Sequence, residues 1–500
     1  MPQGETRLHS TRRIALATAA AAALTGGLLT FASTPAMAAD SFKVAKADFN
    51  GDGIGDVAAS APAAYVNGHK GAGQVVVLYG SASGIKSTQR STISQNTSGV
   101  PGTSEAGDRF GETTAYADFN GDGIDDLVVG TPAEKVGTDV NGGTVAILWG
   151  SKNGITGKGV TIHDPAPSAH DFWGKNLAAG DFDGDGKADL VVGSSKSTLY
   201  LYRGGFTTSG AYGSLSTVKP PIQSGTNSYP YGPLNLTAGD VNGDGRTDLV
   251  VDGYETKTDY GWNTNYWLPG SPSGLSGSSA KALKPGIITG IGDINGDGYG
   301  DIVSGAGWDG SLEDGTKVPD SADGGKVNIT YGSASGPAST IGITQNTGNV
   351  PGKSEKGDAF GHELDLGDIN GDGYQDLVVS SPAEDISGVS NTGMVTILYG
   401  SPSGVNTTSG MQSFHQNTAG VPGSNEDNDL FGADVKLDDV TGDGKADLVV
   451  GSYENGGNGA VTYLPSNGTK ITTSGARFIS CTSAGVSTAG APLFGVNFAD

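Results

Sequence analysis

Asp48-Phe49-Asn50-Gly51-Asp52-Gly53-Ile54-Gly55-Asp56 decides how the rest of this 500-residue chain is read. These nine residues place carboxylates at positions 1, 5 and 9, an amide at position 3 and glycines at 4 and 6. An apolar run, Val57-Ala58-Ala59, follows at once. The pattern D-x-[N/D]-G-D-G-x-x-D begins again at Asp118, Asp181, Asp240, Asp293 and Asp368, and a seventh copy at Asp439 carries Thr441 at position 3. Seven copies spaced 53 to 75 residues apart make the chain an array of one structural unit.

Working outward from the loop, each unit carries the marks of four short strands. A run such as Asp126-Leu127-Val128-Val129 follows the loop, and a second run such as Gln74-Val75-Val76-Val77-Leu78-Tyr79-Gly80 comes next. Gly-Ser-x-Ser-Gly turns close some of these, at 80–84 and 400–404. A short third run leads to Phe-Gly, as at Phe110-Gly111, Phe360-Gly361 and Phe431-Gly432, and then to the next Asp loop. β-branched residues between glycine-rich turns, with no helical period, predict an all-β fold. A lone four-stranded sheet leaves an apolar face bare, whereas a ring of such sheets covers it. The expected architecture is a seven-bladed β-propeller of four-stranded antiparallel blades; an open solenoid, with shorter parallel repeats, is the rival. The first Asp loop lacks Phe-Gly before it, while Phe494-Gly495 has no Asp loop after it. The tail 492–498 is therefore expected to join the first blade.

Clustered side-chain oxygens in a short loop repel one another unless a hard cation joins them, and Ca²⁺ takes six to eight oxygens. The loops thus predict up to seven Ca²⁺ sites. At 48–56 the ligands are Asp48, Asn50, Asp52 and Asp56, and at 118–126 they are Asp118, Asn120, Asp122 and Asp126. At 181–189 they are Asp181, Asp183, Asp185 and Asp189; at 240–248, Asp240, Asn242, Asp244 and Asp248. The set at 293–301 is Asp293, Asn295, Asp297 and Asp301, and at 368–376 it is Asp368, Asn370, Asp372 and Asp376. At 439–447 the ligands are Asp439, Thr441, Asp443 and Asp447, with a hydroxyl in the third place making a weaker site. The carbonyl of position 7 is the expected main-chain ligand. An EF-hand would need a Glu at position 12 and a following helix. Position 12 from Asp118 is Val129, inside a β run, so the ninth-position Asp closes the site instead.

Composition agrees. The net charge is −24, from 29 basic and 53 acidic residues, and 22 of those acids stand at the loop positions above. That sign argues against nucleic-acid binding, which needs Lys and Arg opposite phosphate. Residues 1–38 read as a signal peptide: Arg7, Arg12 and Arg13 precede an Ala/Leu-rich core, and Ala36-Met37-Ala38 offers a cleavage site. No later run is long and apolar enough to span a membrane. A secreted protein is expected, with 39–500 forming the propeller and the chain a monomer. Cys481, the single cysteine, cannot form an intrachain disulfide and is read as a core residue.

Phe-Gly, the Asp loop, Asp-Leu-Val-Val and tails such as Ser60-Ala61-Pro62 and Gly130-Thr131-Pro132 resemble the FG-GAP repeats of integrin α-subunit propellers and their bacterial secreted relatives. The resemblance covers the whole mature chain. It implies seven blades with Ca²⁺ on one face and ligand-binding loops on the other, and by analogy an adhesive role toward an extracellular protein.

No H-E-x-x-H pair and no G-x-S-x-G elbow occurs, and His69, His163, His170, His362 and His415 are scattered. The expectation is a binding module and not an enzyme, with a hydrolase built on the propeller as the weakest reading. A glycan-binding propeller is the alternative, because Tyr229, Tyr231, Tyr254, Tyr260, Trp262, Tyr266 and Trp267 cluster in one stretch. Tyr266 and Trp267 align with a core strand, whereas Tyr254, Tyr260 and Trp262 fall in a loop and are the candidate ligand contacts. His163 and His170 are expected to be solvated.

Overall fold

The computed structural model describes residues 46–225, 231–258 and 260–499. The signal-peptide expectation for 1–38 and Tyr229 lie outside the described residues. Within them every sheet is an antiparallel meander: six have four strands in sequence order and one has three. The blades are therefore local in sequence, each strand pairing with its chain neighbour. In the second blade, Thr113–Ala117, Asp126–Thr131, Thr144–Leu148 and Gly159–Ile162 follow one another from the axis outward. The innermost strands of blades 2 to 7 are Thr113–Ala117, Asn176–Gly180, Asn235–Gly239, Ile288–Gly292, Leu364–Gly367 and Asp434–Asp438, and each packs against the next. Antiparallel pairing throughout excludes the solenoid.

The β runs after each Asp loop form the second strand of each blade, buried on both faces, as Asp126–Thr131 and Asp376–Ser381 show. Both faces are covered because each sheet is sandwiched between two others, which is why these runs are continuously apolar instead of alternating. Seven apolar clusters fill the spaces between neighbouring sheets. One joins Val75, Val77 and Phe110 to Tyr116, Leu127 and Leu148 of the second blade. Another joins Val449, Val461 and Tyr463 of the seventh blade to Val57, Val76 and Leu78 of the first. The core is thus a closed circle of seams. Cys481 is buried in that last seam, as expected.

The Phe of each Phe-Gly is wedged into a seam: Phe110, Phe360, Phe431 and Phe494 are almost fully buried, and Trp173 takes the same role in the third blade. Emptying one such pocket costs about 3–5 kcal/mol. The preceding blade must leave room for it. Gly73 has φ +88°, and a Cβ there would lie 2.3 Å from the backbone nitrogen of Phe110, so no larger residue fits.

The first blade closes the ring. Its own chain supplies Val57–Ala61, Gln74–Leu78 and Arg90–Ile93. The innermost place is shared by the two ends of the chain. Ala59 pairs with Phe498, and Ala47 pairs with Asp56. Ser60 N–H donates to the Asn497 carbonyl at 2.8 Å, and Ala499 N–H to the Ala58 carbonyl at 2.9 Å. Gly495 N–H donates to the Ser60 carbonyl just as Gly111 does to Gly130. Phe494-Gly495 is thus the missing Phe-Gly of the first Asp loop.

Candidate metal centres

Each Asp loop joins the innermost strand of a blade to the second, so all seven sit at one end of the ring. The register is the same in every copy. The residue before the loop pairs with the ninth-position Asp, as Ala117 with Asp126, Gly292 with Asp301 and Asp438 with Asp447. The first-position carboxylate turns inward over the loop and accepts the N–H of position 6 in all seven copies, at 2.7–2.9 Å. In five copies the third-position oxygen accepts the position-5 N–H, as Asn50 does from Asp52 at 2.9 Å. The fifth-position carboxylate accepts the position-7 N–H, as Asp122 does from Ile124 at 3.0 Å.

The ninth-position Asp is buried beneath the loop. One of its oxygens accepts a backbone N–H from the end of the third strand, Gly80 for Asp56 and Gly150 for Asp126, both at 2.9 Å. The other accepts the position-2 N–H in six copies, as from Phe49 at 3.0 Å. Burial pushes Asp56, Asp126 and Asp376 up to about 8, and Asp189, Asp248, Asp301 and Asp447 up to about 7; the first-position carboxylate adds to the rise in every copy, joined by the fifth in five copies and by Asp183 in the third. Crowded like charges under partial burial are the condition a cation relieves.

Two copies depart from the common pattern. In the third, oxygens of Asp181, Asp183 and Asp189 come within 4.8 Å of one another, because the third position is a carboxylate. Its extra charge is met by Arg203, whose guanidinium lies 2.7 Å from Asp183. In the seventh, the hydroxyl of Thr441 and one oxygen of Asp447 are buried without a hydrogen-bond partner. An orphaned hydroxyl beside a half-satisfied carboxylate is an oxygen pair suited to a hard cation.

A feature invisible in any single repeat links the loops. The position-8 N–H donates to the position-1 carbonyl of the preceding loop: Asp125 to Asp48, Thr247 to Asp181, Gly300 to Asp240, Gln375 to Asp293 and Ala446 to Asp368. Gly55 to Asp439 completes the step from first to last. The leading residue of six of the seven candidate ligand sets is thereby held by the next blade, Asp118 being the exception.

The aromatic candidates separate. Tyr254 is corrected: it ends the strand Asp248–Tyr254, is buried, and packs edge-on against Tyr231 at 5.0 Å, so it offers no loop contact. Tyr260 is 39% exposed and stacks on Trp262 with centroids 4.8 Å apart and planes 14° apart. Tyr266 and Trp267 are buried, and the Trp267 indole donates to Asp248 at 2.9 Å. His170 is corrected too. It is buried, stacked on Trp173 at 5.4 Å and 3.3 Å from Asp164, whereas His163 is exposed. Residues that the repeat pattern alone did not flag include buried Glu134, Glu384 and Glu454 at the opposite end of the ring. The signal for Glu134 and Glu384 was the recurrence of Pro-Ala-Glu at 132–134 and 382–384, which Glu454, in Ser-Tyr-Glu, lacks.

These observations define a cyclic seven-bladed sheet protein with an acidic loop at one end of every blade. The FG-GAP-like repeat model matches residues 118–192 and 181–251, and the FG-GAP repeat model matches 42–78 and 360–398. The chain is an integrin-like FG-GAP propeller. It is 34% identical over 151 residues to rat phosphatidylinositol-glycan-specific phospholipase D, covering 30% of this chain and 18% of that protein. The bovine protein of that name is 29% identical over 240 residues, 47% of this chain and 27% of the relative. Integrin alpha-PS2 of Drosophila melanogaster is 28% identical over 280 residues, 55% of this chain and 15% of the integrin. The chain thus spans well under a third of the length of these relatives. The expectation of a non-enzymatic protein is corrected by them: a phospholipase D is an enzyme, and that name recurs among relatives 29–34% identical over part of the chain. A search for serine elbows and zinc motifs tests only those two chemistries.

Proposed function

We propose that this chain is a secreted, Ca²⁺-stabilised propeller that binds an extracellular ligand, a protein in the adhesive reading. The observation that supports it most is the seven-fold recurrence of one loop geometry, each copy gathering carboxylates around a buried ninth-position Asp. In each loop the side chains of positions 1, 3, 5 and 9 would hold the ion, as in Asp181, Asp183, Asp185 and Asp189. The ion would replace repulsion among carboxylates with attraction and so lock the loop that bridges two strands. No helix among the described residues is long and apolar enough to cross a membrane. The relatives named as integrins support a protein partner. The test is capture of surface proteins on the immobilised chain with calcium and with chelator. A partner held only in calcium supports the reading, and no retained protein under either condition removes it.

A glycan ligand is the second reading, supported by exposed Tyr260 stacked on half-buried Trp262, a flat aromatic pair suited to a sugar ring. The relatives named for a phosphatidylinositol-glycan substrate also fit it.

A further inference from the structure

Three connections between blades share a pattern distinct from the Asp loops. Gln95 is followed by Val100-Pro101-Gly102-Thr103-Ser104-Glu105 and Asp108; Gln345 by Val350-Pro351-Gly352-Lys353-Ser354-Glu355 and Asp358; and Gln416 by Val421-Pro422-Gly423-Ser424-Asn425-Glu426 and Asp429. Each runs from the outermost strand of one blade to the innermost strand of the next. In a meander that places it at the end of the ring opposite the Asp loops.

Each glutamine reaches across the junction to a buried glutamate of the following blade. Gln95 donates from Nε2 to Glu134 at 2.5 Å, Gln345 to Glu384 at 2.7 Å, and Gln416 to Glu454. The glutamates, and Asp108, Asp358 and Asp429 beside them, are all more than nine-tenths buried. Acidic groups act on each glutamate: Asp108 and Glu105 on Glu134, Asp358, Glu355 and Asp385 on Glu384, and Asp429 and Glu426 on Glu454. All three glutamine Oε1 atoms are buried with no hydrogen-bond partner, although the glutamines are at most 5% exposed. The Oγ atoms of Ser104 and Ser354 are likewise buried and unpartnered. Buried polar oxygens are rarely left unsatisfied, and here the same orphan recurs three times beside a pair of carboxylates.

We propose that the junctions of blades 1 and 2, 5 and 6, and 6 and 7 each hold a Ca²⁺ ion, bound by the buried glutamate and aspartate together with the glutamine Oε1. Such a site supplies two carboxylates and an amide oxygen, with Ser104 or Ser354 and water completing the six to eight oxygens that Ca²⁺ takes. The ion would sit between blades, so it would clamp the ring at the end away from the Asp loops. The junction of blades 7 and 1 provides an internal contrast. Ala64 stands where Glu134 and Glu384 stand, its carbonyl accepting from Gly73 as theirs do from Gly143 and Gly393, and no site is expected there.

The experiment counts calcium bound to the full chain after dialysis at about 1 mM, a range suited to extracellular sites. The triple variant Glu134→Gln, Glu384→Gln, Glu454→Gln is expected to hold three fewer ions than the parent. The loss is a difference between two chains with the same Asp loops, so it reads these junctions whether or not those loops are filled. An unchanged count overturns the proposal. Should the triple variant fail to fold, crystals of the parent soaked in terbium decide. Anomalous peaks beside Glu134, Glu384 and Glu454 support the sites, and ordered water without anomalous signal overturns them.

Discussion

The N–H of Gly55 donates to the carbonyl of Asp439 at 2.9 Å, joining the first Asp loop to the last. Asp439 heads one candidate ligand set and Gly55 precedes the buried closing residue of another, so loop order and ring closure are one problem. A cation that orders a loop would fix the carbonyl to which its neighbour bonds. Chelation is therefore expected to lower the melting temperature of the whole ring in a single transition. At ten times the dissociation constant each site contributes about 1.4 kcal/mol. Calorimetry with and without chelator measures it, and a chelator-insensitive melt contradicts it.

Thr441→Asn should strengthen the seventh site, because an amide oxygen reaches further into the loop than the orphaned hydroxyl. The expected outcome is tighter calcium binding and a higher melting temperature in limiting calcium. Equal titration curves for the variant and the parent would show that the third position is not a ligand there.

Removing residues 492–500 should open the seam between blades 7 and 1. It deletes Phe494 and Phe498, both fully buried, and the bonds from 495–499 to the first blade. Each lost aromatic is expected to cost about 3–5 kcal/mol, a large part of a typical ~5–15 kcal/mol total. Thermal melts of the truncated chain check this, and an unchanged midpoint refutes the shared strand.

Asp252 supplies a pH dependence free of the metal loops. Its carboxyl is fully buried, with Thr289 at 3.4 Å as its side-chain hydrogen bond, and burial holds its pKa well above the usual carboxylate range. A raised folded pKa means the native state binds the proton more tightly. Stability from this group is then complete below about pH 4 and falls as pH rises through the folded value. Asp252→Asn should therefore gain on the parent as pH climbs from 5 to 8, by an amount on the order of 1–3 kcal/mol. A melting-temperature difference that stays constant with pH would argue against it.

Trp262→Ala removes a half-buried ring stacked on Tyr260 and should cost about 0.5–1.5 kcal/mol, whereas Trp173→Ala should cost about 3–5 kcal/mol. A glycan array then separates the two ligand readings. Sugar binding lost only on substituting Trp262 favours the glycan, and no sugar signal from the parent removes it.

The blades and their loops were readable in the chain because each is a local object, nine residues of Asp and Gly followed by a β-branched run. The belt from position 8 to position 1 was not, since between successive blades it joins residues 60 to 82 positions apart through main-chain atoms that carry no side-chain signature. Tyr254 was misplaced because its strand, Asp248–Tyr254, runs two residues longer than its counterpart Asp189–Gly193. His170 was misjudged because its burial depends on a strand thirty residues on, whose Tyr200 ring lies 5.6 Å from it in the folded sheet. The Gln–Glu junctions leave a visible sequence pattern, yet their partnership depends on which blades become neighbours.

The strand divided between 46–47 and 497–499 has a consequence for biogenesis. Until the residues around Phe498 have been synthesised, the first-made sheet lacks its axial member, and the nascent product is an open arc with two raw apolar flanks. Shielding of those flanks by a chaperone, or by passage through a translocon while still extended, would be required for as long as the arc stays unlatched.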